Sequence, residues 1–271
     1  MKYFTWFRPE QDFEYAKRVM KAGIAGFEAL YRASYLDPEI QSAYVENLRR
    51  IKGELGASFS VHAPSHDVSL GSLNARVREA SFEEIRESIH FARTIGASVV
   101  VVHPTPGILG MPEGKWSHEE QPPRREVERI ALQEEYIVQA VRELADYAPD
   151  ILLCMENLVY PHEIYRTPEQ MAGLIKKVNR SNVGLTLDVG HAVVCDQKPT
   201  DFLHLLQESI FHVHLHDNNG VVDQHLPLGK GNIDYVAVIQ SLKQIGYDGV
   251  VNLEFLVENP DDYHSHIYRF E

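Results

Sequence analysis

The sequence predicts an α/β fold, a closed (β/α)8 barrel, from three observations. Eight apolar runs of strand length alternate with amphipathic stretches of helix length along 271 residues. No GxGxxG follows the first run, which disfavours a doubly wound dinucleotide-binding sheet. The last six runs each close on a histidine, aspartate or glutamate, and barrels build their active sites at the mouth formed by strand C-termini. A chain of this length suits one barrel and buries roughly 70–75% of its unfolded surface. Residues 1–271 are therefore read as a single domain.

The elements follow in order. Residues 3–7 read as a short aromatic strand and 11–22 as a helix closed near Gly23. Strand two is 24–30. Asp37 and Pro38 open the next helix as N-cap and first-turn proline, and it runs toward Leu55. Strand three is 57–62, and 74–95 is a helix closed by Gly96. The SVVVVH segment ending at His103 lacks alternation, as a parallel strand buried on both faces should. A loop rich in Gly and Pro (104–123) precedes a long helix, 124–147, and strand five, 151–156. Thr167, Pro168 and Gln170 make an N-cap, first-turn proline and capping box for a helix ending near Val178. Strand six (183–188), a short helix (200–206) and strand seven (210–214) follow. A second long loop (217–231), a helix (233–245) closed by Gly246, and strand eight (250–254) complete the eight units. The polar tail 259–271 is expected to pack outside the barrel.

Composition narrows the class. The chain has 26 basic and 39 acidic residues, a net charge of −13. Such a surface repels polyanions, although bound metals or a local basic cleft invert the field where they lie. Two cysteines, Cys154 and Cys195, form neither a disulfide framework nor a CxxC site, and Cys154 is expected in the core. No run of 18 apolar residues exists, and the opening MKYFTWFRPEQ has no apolar signal core. The expectation is a cytoplasmic protein with no membrane partner.

The chemistry is concentrated at the strand ends. Strands three to eight deliver His62, His103, Glu156, Asp188, His214 and Glu254 to one level, with His191 three residues beyond Asp188. The loop after strand seven adds Asp223 and His225 as a DQH segment. A lone histidine at a strand end is more often a hydrogen-bonded structural residue than a ligand. Six such ends converging on one axis are a different matter, because burying that many ionisable groups without a compensating ion is costly. Imidazoles and carboxylates together suit zinc, manganese and similar divalent ions. Of His212, His214 and His216, one is expected to be a ligand and the others to support it. His66 is placed in the cleft. His90, His118, His162, His204, His264 and His266 are read as surface, loop or helix-face residues. Gly229-Lys230-Gly231 is a tight turn without Walker A spacing, and Lys230 is read as solvated.

The motifs HAPS, VVHP, MEN, LDVGH, HLHDN, DQHLPLGKGNID, IGYDG and the final LE resemble the xylose isomerase-like TIM-barrel superfamily over nearly the whole chain. This superfamily holds endonuclease IV and sugar isomerases and epimerases. In endonuclease IV nine residues hold three zinc ions. The resemblance places the first ion at His62, His103 and Glu156. It places the second at Glu156, Asp188, His214 and Glu254, and the third at His191, Asp223 and His225. One-metal sugar epimerases use mainly Glu156, Asp188, His214 and Glu254. Ser65 stands where endonuclease IV has an aromatic residue, DVGH replaces DTCH, and Gly220 replaces the arginine of ketohexose epimerases.

Two mechanisms are compatible with this set. The one expected first is a multi-metal (zinc) phosphoester hydrolase resembling endonuclease IV, acting on a small phosphoester or abasic DNA. Up to three Zn2+ would bind, and a metal-activated water would attack phosphorus. The alternative is a sugar or sugar-phosphate isomerase or epimerase with a single Mn2+, Mg2+ or Co2+. There Glu156 and Glu254 would move protons and His191 would orient a hydroxyl. A catalytically inert binding barrel fits the intact ligand set poorly.

Overall fold

The computed structural model describes residues 1–31, 37–105, 124–160 and 163–268, the side chains of 124–127 excepted. The elements are β1 (Lys2–Phe7), α1 (Phe13–Lys21), β2 (Gly26–Leu30), α2 (Pro38–Leu55), β3 (Ser58–His62), α3 (Ala75–Ile95), β4 (Val99–Val102) and α4 (Arg124–Tyr147). They continue with β5 (Leu152–Glu156), α5 (Pro168–Val178), β6 (Val183–Asp188), α6 (Val189–Val194), α7 (Pro199–Leu206), β7 (Ile210–Leu215), α8 (Tyr235–Gln244), β8 (Val250–Leu253) and α9 (Tyr263–Ile267). Every strand pairs in parallel with its successor, and β8 returns to β1, closing the barrel. The expected α/β TIM barrel is the observed one.

Strand pleating sorts each strand into two faces. Val100, Val102, Leu153, Met155, Leu187 and Val213 point outward into the apolar layer beneath the helices. Their neighbours point inward, so Cys154 and Glu156, His212 and His214, and Asn252 and Glu254 form successive tiers of the interior.

Helix boundaries follow their capping chemistry. Asp37 accepts from the Glu39 amide at 2.8 Å. Thr167 and Gln170 form the reciprocal capping box, and Gly56 and Gly96 close α2 and α3 in the left-handed conformation. The 106–123 part of the expected loop 104–123, with His118, and also His162, lie outside the described residues.

Some boundaries differ from expectation. β4 stops at Val102 and β8 at Leu253, so His103 and Glu254 sit one residue beyond the ladder, while β7 continues to Leu215. Helix α6, which starts directly at the end of β6, was not expected. It is only six residues long, too short to show a helical period, and Asp188 forms its N-cap. The tail packs outside the barrel as expected: Arg18 of α1 pairs with Asp261 at 3.0 Å, and Thr5 of β1 donates to the Tyr263 hydroxyl at 2.8 Å.

Candidate metal centre and cleft

The site is built in two tiers. The lower tier centres on Glu28 of β2, fully buried. Its Oε2 accepts from the Ser60 hydroxyl at 3.0 Å and lies 2.9 Å from His212 Nε2. Its Oε1 accepts from the Asn252 amide at 2.9 Å and lies 3.1 Å from His214 Nε2. Four polar groups thus surround one carboxylate in the barrel interior. Glu28 was not among the expected site residues, which were sought only at strand ends. Its signal is an acid inside the apolar strand GFEAL.

His214 connects the tiers. With Nε2 against Glu28, its Nδ1 faces the mouth, 3.3 Å from Glu156 Oε1, 3.1 Å from Glu254 Oε1 and 3.7 Å from Asp188 Oδ2. Glu156, Asp188, His214 and Glu254 each offer a ligand atom, all within 4.8 Å of one another. Glu156 is also central to the β3–β4 side: its Oε2 lies 3.3 Å from His62 Nε2 and 2.9 Å from His103 Nε2. The compact triad there is His62, Glu156 and His214, whereas the expected first set had His103 in place of His214.

A second cluster lies toward the β7–β8 side. His191, His216, Asp223 and His225 bring their donor atoms within the same limit. This is the expected third set with His216 added. Asp223 Oδ2 lies 3.3 Å from His191 Nε2 and 3.0 Å from His225 Nε2. The His216 ring stacks on His225 at 4.1 Å, with its Nε2 3.2 Å from Asp188 Oδ1. The trio of β7 is thus resolved by depth: His212 in the lower tier, His214 between tiers, His216 at the mouth.

Backbone carbonyls set the tautomers. His62 Nδ1–H donates to the Ala63 carbonyl at 2.7 Å, His191 Nδ1–H to Asn157 at 2.9 Å, and His225 Nδ1–H to Glu254 at 2.9 Å. Each leaves Nε2 facing the carboxylates, the support that metal-ligating histidines need. Asn157 also clamps Asp188, accepting from its amide at 2.8 Å and donating to its carbonyl at 2.9 Å. Trp6 Nε1–H donates to Glu254 Oε1 at 2.9 Å. Asn157 and Trp6, like Glu28, escaped the strand-end pattern.

The electrostatics are those of a cation site. Burial pushes the Glu156 carboxyl up, but the charges of His103 and His214 outweigh it and hold it well below the usual range. Asp188 is lowered despite burial by His191 and His216, and Asp223 by His191 and His225. Glu254 goes the other way: burial and the charges of Glu156 and Asp188 raise it beyond what His214 offsets. Against their own burial, the surrounding carboxylates raise His62 and His225 to about 9, and His191 and His214 well above their ordinary value. Without metal, protons on these rings compensate the buried carboxylates. Glu156 Oε2, Asp188 Oδ2 and Asp223 Oδ1 remain buried without an aligned hydrogen-bond partner. Buried acceptors of this kind, ringed by oriented imidazoles, fit divalent ions.

Above the centre opens a cleft of about 1130 Å³. His66 lines it, as expected. Lys230, His90, His204 and His264 are exposed, whereas His266 is buried against Phe255, and Cys154 lies in the core.

A family model described as "Xylose isomerase-like TIM barrel" matches residues 16–267. The chain belongs to this family. Among its curated relatives, an uncharacterised protein of Methanocaldococcus jannaschii is 35% identical over 225 residues, 81% of this chain and 70% of the relative. An L-ribulose-5-phosphate 3-epimerase of Escherichia coli is 28% identical over 196 residues, 71% of this chain and 62% of that protein. A solved structure of a D-tagatose 3-epimerase-like protein has a TM-score of 0.80 at 28% identity, covering 100% of this chain and 97% of that one. These similarities favour the isomerase or epimerase alternative over the hydrolase expected first. The chain is a metal-binding TIM-barrel enzyme of the xylose isomerase superfamily.

Proposed function

We propose that this enzyme is a metal-dependent isomerase or epimerase of a sugar or sugar phosphate. The observation that carries the reading is the compact set Glu156, Asp188, His214 and Glu254 at the base of the cleft. By the family resemblance, these are the positions that one-metal sugar epimerases use. A divalent ion held by these four residues supplies a Lewis acid for adjacent sugar oxygens, with Mn2+, Mg2+ or Co2+ suited to three carboxylates and one imidazole. Glu156 and Glu254 approach the bound sugar from different strands. Glu156, ionised, takes a proton from the carbon beside the carbonyl. Glu254, oriented by the Trp6 N–H, delivers one on the other side of the carbon. His191, oriented by Asn157, holds a substrate hydroxyl.

Among the described residues the cleft wall carries no basic excess. Apart from the metal-ligating carboxylates its lining has two acids, Asp67 and Glu163, and two arginines, Arg8 and Arg129, whereas nucleic-acid binding rests on a surplus of cations. The cleft formed by the described residues, about 1130 Å³, lies just above the ~300–1,000 Å³ of ordinary small-molecule sites. One observation favours the hydrolase: the second cluster, His191, His216, Asp223 and His225, suits an additional Zn2+.

Metal-loaded protein incubated with ketoses, ketose phosphates and an abasic-site duplex separates the two. Isomerised or epimerised sugar with intact duplex supports the proposal. Strand cleavage without sugar conversion refutes it.

A further inference from the structure

We infer that Arg8, stacked on Trp6 at the β1 side of the cleft, is a phosphate subsite, so that the substrate is a phosphorylated sugar. This inference rests on the isomerase or epimerase reading and narrows its substrate class.

Arg8 follows the last residue of β1 and lines the cleft. Its guanidinium lies 5.3 Å over the Trp6 ring. The same indole donates to Glu254 at 2.9 Å and lies 5.0 Å from the His225 ring. Arg8 is therefore one aromatic ring away from the carboxylate assigned to proton transfer.

Its charge has no acidic partner among the described residues. Arg18, Arg50, Arg93 and Arg180 each pair with an aspartate or glutamate. Among the described residues no carboxylate pairs with Arg8, in a chain with 39 acids. Its Nε is buried without a hydrogen-bond partner, while its backbone amide donates to Gln11 Oε1 at 2.7 Å and its carbonyl accepts from the Gln11 amide at 3.0 Å. A partly buried cation left this way loses hydration without compensation. The indole face offsets part of that loss and holds the guanidinium plane while its N–H donors stay available. That fork matches two oxygens of a phosphate at once. A sugar with its reacting carbons over Glu156 and Glu254 and its chain crossing Trp6 would bring a terminal phosphate to Arg8. A neutral sugar would leave the cation unanswered.

The test compares metal-loaded wild type, Arg8→Met and Arg8→Lys on ketopentose and ketohexose phosphates and on the parent sugars. The expected result is a wild-type preference for phosphorylated sugars in kcat/KM. That preference falls about 10- to 100-fold in Arg8→Met, the loss expected for a charged hydrogen bond, and only partly in Arg8→Lys. In parallel, inorganic phosphate is titrated against tryptophan fluorescence, with Trp6→Phe to assign the signal. A saturable change that requires both Arg8 and Trp6 is expected. Sugar turnover without phosphate preference, or a preference that survives Arg8→Met, overturns the subsite and leaves the enzyme class standing. No sugar turnover, but Arg8-dependent phosphate binding, overturns the class and leaves the subsite standing. Neither turnover nor phosphate binding overturns both.

Discussion

Glu156 and Glu254 sit on neighbouring sides of His214, yet their protons are held oppositely, the first carboxyl lowered and the second raised. Replacing either by glutamine keeps the shape and removes the proton carrier. Sugar conversion is expected to fall about 10²- to 10⁴-fold in each variant, as measured by initial rates at saturating metal. Glu28 has a different role, since it touches no part of the cleft. Glu28→Ala removes the carboxylate that faces the Nε2 atoms of His212 and His214 and should destabilise the fold by about 3–5 kcal/mol in denaturant unfolding. Glu28→Gln, which keeps the packing, should weaken metal binding about 10- to 100-fold by calorimetry. The strand-end pattern drew attention to His62, His103, Glu156, Asp188, His214 and Glu254, because a polar residue closing an apolar run is conspicuous, and these six side chains converge at the barrel mouth. Trp6 and Asn157 were not legible, because their importance lies in what they hydrogen-bond across the barrel, and Glu28 left a signal, an acid within the apolar run GFEAL, that a search of strand ends passes over.

Loops and short helices set the second cluster. Asp217 accepts from the amides of Asn218, Gly229 and Ile233 at 2.9, 2.8 and 3.0 Å, which folds the DQH segment back over the mouth. At Gly231 a Cβ would fall 2.2 Å from the Asn218 carbonyl, so the GKG turn requires that glycine. Gly190 does the same in α6, where a Cβ would stand 1.9 Å from the His216 ring. That ring is held between His225 and Asp188 and has no room to retreat. Gly190→Ala is expected to cost about 1–3 kcal/mol in urea unfolding and to displace His216 from His225 and Asp188, seen as a shift of its ring signals by NMR. Helix caps were readable in advance because Asp37, Thr167 and Gly96 act locally. Helix α6 was not, because its GHAVV stretch carries no period and Asp188 serves as both strand end and cap.

For the whole molecule, the barrel was legible because eight βα repeats leave few other topologies. The reaction was not, because the same ring of ligands serves hydrolases and isomerases, and the family similarities shifted the balance to the latter. Metal and protons compete for the centre, which fixes a pH signature. In metal-free protein His62 and His225 rise from 6.5 to about 9 on folding. Their contribution to stability is therefore complete below pH 6.5 and lost as pH rises through 9. Metal binding needs the same rings deprotonated, so metal affinity should increase across that window. Thermal unfolding of chelated protein should show a falling Tm from pH 6.5 to 9. Metal-loaded protein should unfold at higher temperature, with a widening gap.

The central claim is proton transfer at a sugar carbon by Glu156 and Glu254 over a bound metal. It is tested most directly by incubating metal-loaded enzyme with a ketose phosphate in D2O and following the carbon beside the carbonyl by proton NMR. The account predicts deuterium incorporation at that carbon, abolished by Glu156→Gln and by chelation. Isomerised or epimerised product formed without solvent deuterium, or exchange that persists in Glu156→Gln, would contradict it.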